Sequence, residues 1–183
     1  ISTPKEQKKI KEIYSDLDME SLKDGSKTIH DKAIICLLKS SGCRVGEIVR
    51  LNRNDIDYAN RQFTVLGKGN KQRTAYMDMV TAKVLKQYID SRKDDLPALF
   101  IGKRKERLHE DGIRCMLRTL GKELGIKHVH PHKFRRTEAT ELARRGMPIE
   151  QIRQFLGHEK IDTTLRYVNI DQDDVRHNYR RFG

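Results

Sequence analysis

Apolar residues recur at helical spacing along most of the chain. Thr3-Pro4-Lys5-Glu6 has the form of a capping box with proline at the first helical position. Ile10, Ile13, Tyr14 and Leu17 continue it as one amphipathic helix. Lys23 to Lys27 reads as a polar loop. A second helix is expected from about His30 to Lys39, built around the apolar run Ile34–Leu38 and stopped by Ser40-Ser41-Gly42. Val45 to Leu51 resumes helical spacing directly after Arg44. Val84, Leu85, Tyr88 and Ile89 form a stripe over Thr81–Arg92, and Ile113, Met116, Leu117, Leu120 and Leu124 form another over Glu110–Leu124, closed by Gly125. Pro131 opens a helix to about Arg145. Ile149, Ile152, Phe155 and Leu156 make a short one closed by Gly157, and a further short helix is expected over Thr163–Tyr167. Val175, Tyr179 and Phe182 share a face near the end of the chain.

One stretch breaks this period. Arg61–Leu66 is rich in β-formers, Gly67-Lys68-Gly69-Asn70 is a turn, and Gln72–Met77 returns, which predicts a hairpin with Lys68 at its tip. There is no internal repeat and no low-complexity tract. The pattern predicts a mainly α domain with one small antiparallel β-sheet.

A chain of 183 residues can bury one proper core. Charge adds something the periodicity does not. With 38 Lys+Arg against 26 Asp+Glu the net charge is +12, which suits a polyanion such as nucleic acid, although any basic soluble protein shares that feature. Cys36, Cys43 and Cys115 form no CxxC pair, so a reducing, cytoplasmic setting is expected rather than a disulfide framework. The longest apolar run, Ala33–Leu38, is far short of the ~20 residues of a membrane span. No signal peptide is visible, and a start at Ile1 reads as a piece of a longer chain.

The chemistry concentrates in Val129–Asn169. His132 and Arg135 are three apart and project from one helix face. Leu156-Gly157-His158 makes a corner, and Tyr167 follows nine residues after the histidine. With Arg44 and Lys68 these groups suit a phosphodiester under attack. Arginine forks bind two oxygens and keep their charge. A tyrosine can be the nucleophile if neighbouring cations or a base assist loss of its proton, and a lysine can protonate the leaving sugar oxygen. Taken singly, Arg44 reads as a solvated or ion-paired arginine and Lys68 as a solubilising turn residue. No carboxylate cluster is spaced for magnesium, so cleavage through a tyrosine would be metal-free, need no cofactor, and conserve the phosphodiester energy.

Four segments together carry a resemblance. Ser41-Gly42-Cys43-Arg44-Val45-Gly46-Glu47-Ile48, Leu66-Gly67-Lys68-Gly69-Asn70-Lys71-Gln72-Arg73, His132-Lys133-Phe134-Arg135, and Leu156-Gly157-His158 through Thr163-Thr164-Leu165-Arg166-Tyr167 are similar, in order and spacing, to the catalytic domain of the tyrosine recombinase (phage integrase) family. The likeness covers about Ile29 to Ile170. It implies the family's catalytic-domain fold and site-specific DNA recombination through a 3′-phosphotyrosyl intermediate. Arg44 and Arg135 would clamp the scissile phosphate, Lys68 would be the general acid, His132 the assisting acid/base, His158 a phosphate donor and Tyr167 the nucleophile. Glu47 would orient the active-site histidine and lysine. Lys71 competes with Lys68, which is preferred for its place in the Gly-Lys-Gly tip. Arg136 and Cys43 depart from the family's commoner histidine and aliphatic residue without removing a catalytic group.

The resemblance further implies residues 1–170 as the catalytic domain, with 1–28 its N-terminal helix and loop, and residues 171–183 as a tail docking in cis or on a neighbouring subunit. The family's N-terminal core-binding domain is not in this chain. Double-stranded DNA is the expected partner, with a monomer in isolation and a homotetramer on DNA, in a bacterial, phage or mobile-element setting at the nucleoid. Three rivals stand beside it: a type IB topoisomerase, a non-catalytic basic DNA-binding module, and a metal site at His128, His130 and His132. Pro131 interrupts the last, and no cysteine or carboxylate is spaced to complete its shell.

Overall fold

A helix whose middle turns are apolar on every side sits at the centre of the molecule. The structure is a computed structural model that describes residues 12–67, 69, 71–165, 168, 176 and 180. Helix α2 (Ile29–Ser41) begins where the Thr28 side chain accepts from the Asp31 amide at 3.1 Å. Its residues Ala33–Leu38 are all buried, so neighbours must surround it. They are α1 (Asp16–Asp24), α4 (Met79–Ser91) and α6 (Pro131–Arg144). The Asp78 carboxylate caps α4 by accepting from the Thr81 amide, and the Thr81 hydroxyl donates to the Cys36 carbonyl at 3.1 Å, fixing α4 on α2.

The sheet has three antiparallel strands in the order β1 (Ile56–Asp57), β2 (Gln62–Leu66), β3 (Gln72–Tyr76). Leu66 pairs with Gln72, and the Gly67 amide donates to the Lys71 carbonyl at 2.8 Å, just beyond the last strand pair. Strand β1 extends the predicted hairpin by a short edge. Phe63, Val65 and Ala75 face the main core. Further helices among the described residues are α3 (Val45–Arg50), α5 (Glu110–Leu124), α7 (Ile149–Leu156) and α8 (Ile161–Leu165). A second apolar cluster, Ala139, Ala143, Ile152 and Leu156, joins α6 to α7. The fold is thus mainly α with a small antiparallel sheet, as the pattern predicts. None of the described helices is long and apolar enough to cross a membrane.

The first helix is corrected in part. Residues 12–15 are not helical, and α1 starts after Ser15, whose hydroxyl accepts from the Asp18 amide at 3.1 Å. Helix then continues to Asp24, through the start of the expected polar loop. Leu17, placed on the apolar stripe, is 78% exposed. The reason is tertiary. The Tyr14 amide donates to Thr137 Oγ1 at 3.0 Å, and its hydroxyl accepts from the His130 amide at 3.1 Å. Lys133 Nζ stands 4.6 Å from the centre of the same ring. These contacts hold an extended segment along the first turns of α6, which a helix over residues 12–17 would forfeit. The expected capping box at Thr3–Glu6 lies outside the described residues.

Glu138 of α6 is largely withdrawn from water. Burial pushes its carboxyl up to about 7, with Arg145 and Lys39 opposing. A carboxyl raised in the folded state binds more protons folded than unfolded between its two pKa values, so stability falls as pH rises through that window. Glu138→Gln should therefore be more stable than wild type at pH 8, by about 1–3 kcal/mol, and lose that advantage near pH 5. Thermal unfolding at the two pH values checks this.

Candidate active site

The site begins at a left-handed turn. Gly42 ends α2 at φ +56°, and a Cβ there would come within 3.0 Å of Leu156 and Phe155. Arg44 follows as the residue before α3. Glu47, in the first turn of that helix, reaches back: its Oε2 accepts from the Arg44 amide at 2.7 Å, and its Oε1 accepts from Arg44 Nη1 at 3.2 Å. Glu47 is 4% exposed, whereas the Arg44 side chain is 41% exposed.

Arg135 comes from the opposite side. Pro131 sets the first turn of α6, with His132 exposed on it, and Arg135 lies one turn further in. The Arg135 side chain is among the most buried in the protein, at 1% exposure. One terminal nitrogen donates to the Gly42 carbonyl, and the other to the Leu156 carbonyl at 2.5 Å. A single guanidinium therefore joins the turn before Arg44 to the corner before His158.

That corner is a helix end of the Schellman kind. Gly157 adopts φ +64°, and the amides of Gly157 and His158 donate to the Gln154 and Arg153 carbonyls, each at 3.0 Å. Arg153 Nη1 donates to the His158 carbonyl at 2.7 Å. The His158 ring is buried, with Nδ1 2.9 Å from Thr164 Oγ1 of α8. Burial, then the charges of Arg135, Arg44 and Arg73, push its imidazole down to about 3. His158 is therefore neutral at physiological pH, keeping one N–H donor. His132 also lies below the usual histidine range. Partial desolvation is the first cause, followed by Arg135, Arg114, Arg136 and Arg44. Both histidines thus sit in the field of the same two arginines, Arg44 and Arg135.

Lys68 and Tyr167 lie outside the described residues, so the general-acid and nucleophile assignments remain expectations. The competing Lys71 stands 3.5 Å from Glu159, both side chains in solvent, where such a pair contributes little. The expected role of Glu47, orienting a histidine and a lysine, meets a different set of described partners: Arg44 and Arg73. His130 precedes α6 with its amide on Tyr14, and His128 occupies a left-handed turn at φ +57°. Among the described residues no three His, Cys, Asp or Glu side chains are grouped for a metal ion. The apolar stripe of the tail lies outside the described residues.

Arg73 is the contributor that sequence reasoning passed over. On β3 it shares the inward face with Ala75, and its side chain is 15% exposed. Nη2 donates to Glu47 Oε2 at 2.9 Å, and Nη1 donates to the Phe155 carbonyl at 2.9 Å. The alternation of β3 held a signal for it, since Arg73 stands two residues before a buried alanine.

The phage integrase family profile matches residues 6–174. A tyrosine recombinase XerC of Staphylococcus aureus (strain MSSA476) is 31% identical over 186 residues, taking in 96% of this chain and 62% of the relative. This chain therefore spans only 62% of the length of that curated relative. Among solved structures, a XerA recombinase superposes with a TM-score of 0.86 at 32% identity, covering 96% of this chain and 66% of that one. The Tn1549 transposon integrase, solved in complex with circular intermediate DNA, gives 0.75 at 23% identity, covering 93% and 67%, a likeness of fold alone.

Gly157 and Gly125 both end helices at positive φ, but they differ in surroundings. A Cβ on Gly157 would meet Arg73 Cδ and Nε at 2.6 Å, whereas one on Gly125 would meet nothing within 4 Å. Gly125→Ala should cost about 1 kcal/mol of backbone strain, and Gly157→Ala roughly 1–3 kcal/mol more because Arg73 must also move. Urea unfolding of the two variants measures the difference.

Proposed function

Because this chain belongs to the phage integrase family, we propose that it cuts and rejoins DNA in site-specific recombination through a 3′-phosphotyrosyl intermediate. One observation carries the reading: Arg135 fastens the Arg44 turn to the His158 corner, which places two arginines and two suppressed histidines in one electrostatic field. A phosphodiester oxygen gains charge as it is attacked, and fixed donors aimed at that charge lower the barrier most. Arg44 supplies an exposed fork. Arg135 holds the Gly42 and Leu156 carbonyls, which sets its fixed positive charge between the Arg44 turn and the His158 corner. His158, neutral and held by Thr164, donates to a non-bridging oxygen without adding a mobile charge.

Tyr167 attacks the phosphorus, and Lys68 protonates the departing 5′-oxygen. His132, held below its ordinary range first by partial burial and then by the neighbouring arginines, assists as the acid/base that takes up the Tyr167 proton. The phosphotyrosyl bond retains the energy of the broken ester, so rejoining is the reverse step with a second 5′-hydroxyl. The reaction so described needs neither a metal nor ATP.

The DNA partner is supported by the net charge of +12 and by relatives solved on DNA. We further propose residues 1–170 as the catalytic domain, 171–183 as a tail that docks in cis or on a neighbouring subunit, and a homotetramer on DNA at the nucleoid.

The test uses a nicked suicide duplex bearing the cognate site, selected from a degenerate pool by full-length protein. Wild type should give a slow-migrating covalent band on a denaturing gel, equal in EDTA and in magnesium. Tyr167→Phe should give none while binding the duplex within about threefold of wild type, since it loses only the nucleophile. An adduct that persists in the variant moves the nucleophile elsewhere. A metal requirement favours a nuclease.

A further inference from the structure

Glu47 is a buried carboxylate with three donors around it. Arg44 offers its amide and, at a longer 3.2 Å, its guanidinium. Arg73 offers its guanidinium at 2.9 Å, from a side chain 15% exposed. A buried charge is tolerated only when closely paired. The closer and more shielded guanidinium is that of Arg73, so Arg73 is the principal counter-charge and Arg44 is held more loosely at the surface. The second fork of Arg73 donates to the Phe155 carbonyl, and its stem crosses Gly157, where even a Cβ would collide with it. Cys43 Sγ lies 3.6 Å from Arg73 Nη2, on the same turn that carries Arg44. One side chain from the sheet thus touches the residues beside two of the candidate phosphate ligands, Arg44 and His158, without being one itself.

We propose that Arg73 is a positioning residue for the phosphate site: by neutralising Glu47 it leaves the Arg44 guanidinium available to the scissile phosphate, and by bracing Phe155 and Gly157 it sets the place of His158. This inference rests on the transesterase reading above. With Arg73 gone, the buried carboxylate keeps, among the described residues, only Arg44 as a charged partner and draws that guanidinium onto itself. The site then loses a phosphate ligand although every proposed catalytic residue is still present. Lysine at this position keeps the charge but gives up the fork, so it can serve Glu47 or the Phe155 carbonyl less well together.

A double-mutant cycle separates positioning from simple stability. Full-length wild type, Arg73→Ala, Arg73→Lys, Arg44→Ala and the Arg44→Ala/Arg73→Ala double variant are compared on the suicide duplex. Each is assayed well below its own Tm, with single-turnover cleavage and DNA affinity both measured. Arg73→Ala should bind the duplex within about threefold of wild type and cleave at least about tenfold more slowly, with Arg73→Lys between them. In the Arg44→Ala background the same change should cost less than about threefold, because its principal route of action is already removed. A full tenfold loss in both backgrounds, or no loss in either, overturns the inference while leaving an active wild type and the proposed function intact. A wild type that binds the duplex tightly yet forms no adduct overturns the transesterase reading, and this inference with it.

Discussion

The arrangement of the candidate site depends on one buried guanidinium. Arg135 is almost wholly withdrawn from water, and its terminal nitrogens bind carbonyls from two separate segments, Gly42 and Leu156. Burying a charge costs several kcal/mol, and charge-assisted hydrogen bonds offset that cost only where the acceptors are well placed. The acceptors here are backbone atoms at two helix ends, where carbonyls lack helical partners and need a donor. The constraint therefore runs both ways: the helix ends need the arginine, and the arginine needs them. Fixing those ends also fixes Arg44 and His158, each two residues beyond an anchored carbonyl.

The same charge sets the chemistry. Arg135 is the leading electrostatic cause, after desolvation, of the suppressed basicity of His158 and of His132. In the proposed reaction, a neutral His158 imidazole among fixed cations would donate to a phosphate oxygen without adding a charge of its own. Packing supports the arrangement at close range. Gly42 and Gly157 adopt left-handed turns that bring their chains into contact, and Leu156 beneath them anchors the cluster that joins α6 to α7. Preorganised donors of this kind need no rearrangement when charge develops.

Much of the helical frame was legible in the sequence. Helix α5 runs from Glu110 to Leu124 with Gly125 at its end, α6 starts at Pro131 and α7 stops at Gly157, because caps and periodicity are local properties. The start of α1 was not legible. Its boundary depends on Tyr14 meeting Thr137, a contact 123 residues away in sequence that no local pattern encodes. His132 and Arg135 were legible from their helical spacing, while the separate roles of the candidate arginines and histidines came from a resemblance spread over four segments. Arg73 lay inside one of those segments and was still passed over. An arginine on a short strand reads as solvent-facing until the carboxylate it pairs with, Glu47, is seen to be buried.

Amide hydrogen exchange on wild type and Arg135→Lys probes the Arg135 link, because lysine keeps the charge but lacks the two-nitrogen fork that spans both carbonyls. Protection should fall together in two segments distant in sequence, residues 43–48 and 155–158, while the buried centre of α2 keeps its protection. Unchanged exchange in either segment, or a loss confined to α6 itself, would contradict the view that this one guanidinium joins the Arg44 turn to the His158 corner.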